Sequence, residues 1–417
     1  MRLFLGFLLL VTACDVPVLR PQEAGIGDAG RLSGTACGAG LVVAATDGVQ
    51  SANIGIIDND GHVLSSSVLS TASAAANAST ALGGDLAFPS APGTSHEIVI
   101  LDRYPSSVIT WLDSATAQVR AQLSVATGFA ANPHDYVPLA ADKALVTRFD
   151  SNPQPGRQPF DAGGDLLVVN PETPEIMRRI DLSGELPPVG GYFAHPDRAR
   201  LLDGLVYVVV PFYDAHHRSG DSYLAVLDPA SERIVDTLLI QGVTGCSGLD
   251  ASPDGTTLAI ACSGSWQGTS QAQANVSAIV GVTTAPRLQE IWRVGTGDDE
   301  RAFGFGVVFA DATRVLATRL GVLGPPVIND AAVLIDTRQG SATTLFESAS
   351  KPASLDIGPC LTACGQCFIA DASRKQVVRV EFAPNQAGYR LTRFNWHDPV
   401  GLPPRRLALF AGPSSSD

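Results

Sequence analysis

A pattern that recurs seven times constrains the fold of this chain more than any single motif. Apolar runs end at near-constant intervals: IGIID at Asp58, ITWLD at Asp113, LLVVN at Asn170, LAVLD at Asp228, AIVGV at Val282, AVLID at Asp336 and VVRVE at Glu381. Successive ends lie 55, 57, 58, 54, 54 and 45 residues apart. Periods of this size mark an array of one supersecondary unit, and a four-stranded propeller blade needs roughly 40–50 residues before loop insertions. A second stretch with strand-like alternation follows each run after a short turn, as in HVLSSSVL, EIMRRIDL and RIVDTLLI. The turns are explicit in DPASER after Leu227 and NPETPE after Val169, where Asp or Asn bonds nearby backbone and Pro presets φ. These paired runs are predicted as the two outer strands of each blade.

The two inner strands are predicted upstream of each run. In CSGLDASPDGTTLAIAC, residues 246–262, SPDG is the turn between them, and NPHDYVPLAADKALVTRF has the same form in the third unit. The first unit has LVVAATD but no convincing innermost strand, while RRLALF at 405–410 is left over at the other end. The expectation is an all-β, seven-bladed β-propeller of four-stranded antiparallel blades over residues 37–412, followed by a tail at 413–417. RRLALF closes the ring by pairing into the first blade, so that no open sheet edge remains.

The phrases SPDGTTLAIA, LAVLDPASERIVDTLLI and DLLVVNPETPEIMRRIDL resemble the YVTN-repeat, surface-layer-type β-propellers, in particular exported bacterial propeller lipoproteins. The resemblance covers nearly the whole chain beyond residue 36. It implies the seven-bladed fold and a binding role rather than a fixed chemistry, because related propellers include lactonases and quinone-dependent dehydrogenases.

Composition supports short strands joined by turns, with 41 Gly and 28 Pro in 417 residues. A net charge of −13, with only 28 Lys and Arg and no basic block, argues against a nucleic-acid partner. At the N-terminus, Arg2 precedes the apolar run LFLGFLLLV, which is too short to span a bilayer and has the proportions of a signal sequence. Val11-Thr12-Ala13-Cys14 resembles the lipobox of bacterial lipoproteins. The expectation is a leader at 1–13, lipidation of Cys14, a flexible tether at 14–36, and export to the periplasmic side or the cell surface with the membrane as a partner.

Six further cysteines in an exported chain favour disulfides. Cys246 and Cys262 face each other across the SPDG turn, Cys360 and Cys367 do so in PCLTACGQCFIAD, and Cys364 is then placed to meet Cys37 near the ring's seam. Cys364 and Cys367 also form a Cys-x-x-Cys, but without the βαβ setting of a redox site or a second pair at zinc spacing. His216-His217, flanked by Asp214 and Asp221, reads as a solvated loop, and DNDG at 58–61 lacks the ligand spacing of a calcium loop. No nucleophile elbow, zinc-protease or Ser-x-x-Lys motif occurs, so no catalytic residue is assigned, although a site assembled from several blades would leave no such local motif.

Ligands of propellers meet loops at the mouth of the central channel. The candidates there are His134 and Asp135 in NPHDY, Arg148 and Asp150 in TRFD, and His195, Arg198 and Arg200 in AHPDRAR. The expected function is a monomeric, membrane-anchored module that binds an envelope protein or a small ligand, with no cofactor assigned. The alternative is an enzyme of lactonase or quinoprotein type, with a metal ion or cofactor at the central channel.

Overall fold

The computed structural model describes residues 40–90, 97–187, 190–265, 270–324, 326–350, 354–382 and 388–410. Cys14 and Cys37, and with them the leader, lipidation and tether assignments, lie outside these residues. The described chain forms seven antiparallel sheets arranged around an axis, a seven-bladed β-propeller.

Blade 1 comprises Pro404–Phe410, Gly40–Thr46, Ala52–Ile57 and Val63–Ser70, from the axis outward. Blade 2 comprises Leu86–Ala87, Glu97–Asp102, Val108–Asp113 and Val119–Ser124, and blade 3 Pro133–Ala140, Lys143–Ser151, Gly163–Asn170 and Glu175–Ile180. In blade 4 the innermost strand is split into Tyr192–Ala194 and Ala199–Leu202, followed by Leu205–Asp214, Ser219–Asp228 and Arg233–Leu239. Blade 5 comprises Cys246–Ala251, Thr257–Cys262, Ala278–Thr283 and Gln289–Gly295. Blade 6 comprises Phe303–Phe309, Arg314–Arg319, Ala331–Asp336 and Ser341–Glu347, and blade 7 Leu355–Leu361, Gln366–Asp371, Gln376–Phe382 and Tyr389–Asn395.

Every run that set the sequence period is the third strand of a blade. The acidic or amide residue ending most of them builds the turn into the outer strand. Asp113 Oδ1 accepts from the Ala115 and Thr116 N–H groups at 3.0 and 2.8 Å, and Asp336 Oδ1 does the same for Arg338 and Gln339 at 2.9 and 3.0 Å. This Asx geometry is why an Asp or Asn recurs there.

The middle strands are apolar without alternation because neighbouring blades cover both of their faces, and all residues of Gly40–Thr46 and Ala52–Ile57 are buried. The outermost strands alternate because one face meets solvent, as in Glu175–Ile180. The hydrophobic core is accordingly a ring of separate clusters. Val137, Leu166 and Val208 lie between blades 3 and 4, Leu249, Val209 and Val280 between blades 4 and 5, and Val43, Phe368 and Leu407 between blades 7 and 1.

RRLALF lies where the sequence requires it, as the innermost strand of blade 1, with Leu41 opposite Leu409 and Val43 opposite Leu407. Close packing of the innermost strands depends on glycine. A Cβ on Gly248 would stand 2.6 Å from the Phe305 carbonyl oxygen of blade 6, and one on Gly358 2.9 Å from Leu407 Cβ of blade 1.

The disulfides Cys246–Cys262 and Cys360–Cys367 join the two inner strands of blades 5 and 7. Their Cα atoms are 3.7 and 4.0 Å apart, closer than the roughly 5.5 Å of the commonest disulfide geometry, and each pair adjoins a register shift in its ladder. Cys364 is also disulfide-bonded, and the expected pairing with Cys37 involves a residue outside the described ones.

Candidate functional site at the central channel

All seven blades contribute to one cavity of about 910 Å³ on the axis, six through their innermost strands and blade 2 through Phe88, Pro89 and Ser90, which follow its own. Its polar side belongs to blades 2, 3 and 4, and the split inner strand of blade 4 is what makes it. His195-Pro196-Asp197-Arg198 leaves the ladder between Tyr192–Ala194 and Ala199–Leu202, yet the backbone stays tied down: His195 N–H donates to the Pro211 carbonyl and Asp197 N–H to that of Val209, both at 2.9 Å. The detour carries Asp197 Oδ1 to 3.0 Å from His134 Nδ1 of blade 3. Paired this way, a neutral His134 holds its proton on Nδ1 and presents Nε2 as an acceptor, 3.5 Å from Arg103 Nη1. The Asp197 carboxyl lies below its ordinary range. Burial pushes it up, but His134, Arg198 and Arg103 outweigh the burial.

Arg103, at the end of the second strand of blade 2, forks onto Asp85 with Nε 3.1 Å from Oδ1. Its pKa is lowered first by burial and then by the neighbouring Arg406. Arg406 comes from the strand that closes the ring. Its Nη1 is 2.6 Å from Asp356 Oδ1 of blade 7, and its Nε donates to the Leu86 carbonyl at 3.3 Å. Arg198 Nη1 donates to the carbonyls of Phe88 and His134 at 3.0 and 2.9 Å. Further along the channel, Arg200 bridges the Ser90 carbonyl at 2.7 Å and Asp250 Oδ1 at 2.8 Å, and the other oxygen of Asp250 accepts from Phe309 N–H at 2.8 Å.

Of the residues nominated from the sequence, His134, Arg198 and Arg200 line the cavity. The others occupy different places. Asp135 is fully buried and clamps three blades together: its carboxylate accepts from Ser90 N–H and Oγ of blade 2, from Tyr136 N–H of its own blade, and from Ala199 N–H of blade 4 at 2.8 Å. Arg148 is equally buried, bidentate to Asp165 at 2.8 and 2.7 Å and bonded to the Phe160 carbonyl, so its charge is spent within blade 3 and not in the channel. Asp150 is half-buried beside Asn132 and His134, with its pKa raised by burial.

His195 is buried behind the mouth in an aromatic group. Phe149 stacks on His134 with centroids 4.3 Å apart and tilts against His195 at 4.8 Å, and Tyr213 meets His195 edge-on at 5.2 Å. Burial pushes the His195 pKa down to about 4. The Tyr213 phenol is pushed up by burial and by Asp197. Tyr213 and His217 also line the cavity, brought there by the ten-residue strands Leu205–Asp214 and Ser219–Asp228, whose hairpin tip carries His216-His217. At that tip, Asp214 is bonded to Arg218 rather than to a histidine ring.

Sequence reasoning missed Arg103, Asp197, Asp250, Asp356 and Arg406. The signal for Arg406 was present, since alternate residues of an innermost strand face the axis. Asp197 stood inside AHPDRAR and is oriented only by the break in the strand. Among the described residues, no three His, Cys, Asp or Glu side chains converge as a metal-binding group. No described helix is long and apolar enough to cross a membrane.

No protein-family model and no curated protein matches the sequence. Similarity to solved structures is extensive. A hypothetical selenium-binding protein from Sulfolobus tokodaii superposes with a TM-score of 0.59 at 10% identity, over 91% of this chain and 95% of that one. Hydrazine synthase of Kuenenia stuttgartiensis gives 0.54 at 13% identity over 76% and 87%. A periplasmic gluconolactonase from Pseudomonas aeruginosa gives 0.52 at 11% identity over 86% and 96%. At such identities the likeness is one of fold, and the fold these comparisons support is the β-propeller.

Proposed function

We propose that this protein is an exported, lipid-anchored β-propeller that binds a small ligand in its central channel. The observation that carries the reading is the cavity itself: residues of all seven blades enclose about 910 Å³, lined by four arginines and the His134–Asp197 pair. A volume of this size, with a few fixed polar groups in an otherwise closed wall, is the usual form of a small-molecule site. Export is supported by the lipobox-like VTAC and by the disulfides Cys246–Cys262 and Cys360–Cys367, which persist in oxidising compartments. A thermal-shift screen of metabolites against the purified protein tests the channel. Hits are expected to lose their effect in His134→Ala and Arg198→Ala variants, and hits indifferent to both substitutions would overturn the reading. Cys14→Ser should release the protein from the membrane fraction, and unchanged association would refute the anchor.

One observation favours a catalytic form of the same reading. His134 lines the cavity and is oriented by Asp197 through Nδ1, leaving Nε2, 3.5 Å from Arg103 Nη1, as the ring's proton-accepting nitrogen, which is the arrangement of a general base. Acting on a lactone, Nε2 would take a proton from water as its oxygen adds to the acyl carbon, then return the proton to the ring oxygen as the C–O bond breaks. The fold is shared with a protein described as a gluconolactonase. Lactone opening followed by acid release, abolished in His134→Gln, is the expected result. Rates equal to the uncatalysed reaction would leave the protein a binding module.

A further inference from the structure

The two sides of the channel differ in chemistry, and the charges on the polar side are already balanced. Arg103, Arg198, Arg200 and Arg406 each have a carboxylate oxygen within 4.0 Å, from Asp85, Asp197, Asp250 and Asp356 respectively, and His134 shares Asp197. A cavity lined by compensated pairs has little net field for an ion, so a charged ligand would lose its hydration without gaining a counter-charge. A hydroxyl group fits such pairs directly. It can accept from the guanidinium and donate to the carboxylate at the same time.

The opposite wall comes from blades 5 to 7. Leu249, Phe305, Val307 and Ile357 line it, with Gly306 and Gly358 between them, and among the described residues its charged side chains are Asp250 and Asp356, both turned to arginines. Phe305 stands 44% exposed in this wall, an unusual condition for a phenylalanine inside a propeller. Deepening the channel reading above, on which it rests, we infer that the ligand is an uncharged polyhydroxylated ring of carbohydrate type. Its hydroxylated edge lies on Arg198, Arg200 and Arg406 with their partners Asp197, Asp250 and Asp356, and its C–H face lies on Phe305 and the aliphatic wall of blades 5 to 7.

Saturation-transfer NMR and calorimetry on the detergent-solubilised full chain test this with three sets of probes: neutral aldoses, short oligosaccharides and aldonolactones; the matching uronic and aldonic acids; and sugar phosphates. Neutral probes are expected to bind with an affinity insensitive to ionic strength. Phe305→Ala should weaken them about tenfold while leaving the melting temperature within a few degrees of the parent. Binding of the acids or phosphates but not the neutral probes, with affinity falling as salt rises, would overturn the ligand class and retain the channel site. Neutral binding that Phe305→Ala leaves untouched would overturn the assignment of the apolar wall. Absence of binding by every set would overturn this proposal, and the channel reading falls separately if the metabolite screen also gives no hit that His134→Ala removes.

Discussion

Asp135 shows how a polar residue at a channel mouth can serve the frame instead of the ligand. Its carboxylate collects hydrogen bonds from Ser90, Tyr136 and Ala199, so three blades depend on one side chain with no exposure. Asp135→Ala would strand several buried donors at once, and we expect a loss of about 3 kcal/mol or more in urea unfolding. An unchanged midpoint would contradict the clamp. His195 works the other way, since its burial disfavours the charged ring. The folded-state pKa of about 4 lies below the ordinary histidine value of about 6.5, so between these values the unfolded chain binds more protons and stability rises with pH. The penalty is absent above about pH 6.5 and grows to roughly 3 kcal/mol as pH falls through 4. His195→Phe should flatten that slope relative to the parent, whatever its offset at neutral pH. Equal slopes in the two proteins would show that His195 does not titrate in this way.

Among the elements, the innermost strands do two jobs, and the features that interrupt them mark which job prevails. In blade 4 the irregularity at residues 195–198 shifts the register while keeping the bonds of His195 and Asp197 to Pro211 and Val209, and it turns Asp197 toward His134. In blades 5 and 7 a disulfide replaces part of what the ladder would supply. The Cys246–Cys262 link closes a loop with a sequence separation of 16. Loops of that size stabilise by about 3 kcal/mol through restriction of the unfolded chain. The double substitution Cys246→Ser, Cys262→Ser should lose stability of that order in denaturant unfolding while the blade still forms, because Leu249, Leu258 and Ile260 remain packed between blades 4 and 5. A loss near zero would mean that the link does not restrict the unfolded chain.

For the whole molecule, closure is the decisive event. Pro404–Phe410 joins the last described strand to the first, buries Leu407 against Phe368 and Val43, and brings Arg406 into the channel. Truncation before Pro404 should therefore abolish the sharp melting transition and any channel ligand binding together. A truncated protein that still melts cooperatively would show that the remaining blades are stable as an open ring. How much of this was legible in the sequence follows from the range of the forces involved. Strand alternation, Asx turns and the repeat spacing are local, so Asp58, Asp113, Asn170, Asp228 and Asp336 announced the blades, and the unpaired RRLALF announced the seam. Cysteines facing each other across short turns were legible for the same reason. The site was legible only in part. His134, Arg198 and Arg200 were recognisable as polar groups near innermost strands, but Asp135 and Arg148 looked the same and are consumed by blade contacts. Arg103, Asp197, Asp250, Asp356 and Arg406 acquire their roles from partners on other blades. The number and order of the blades could be read from the sequence because periodic burial and turn chemistry act over a few residues, and the seam because RRLALF was the one strand left without a local partner. Which charges face the channel and which are neutralised emerges only in the folded ring, because the arginines are held by partners on distant parts of the chain, as Arg406 is by the Leu86 carbonyl 320 residues away.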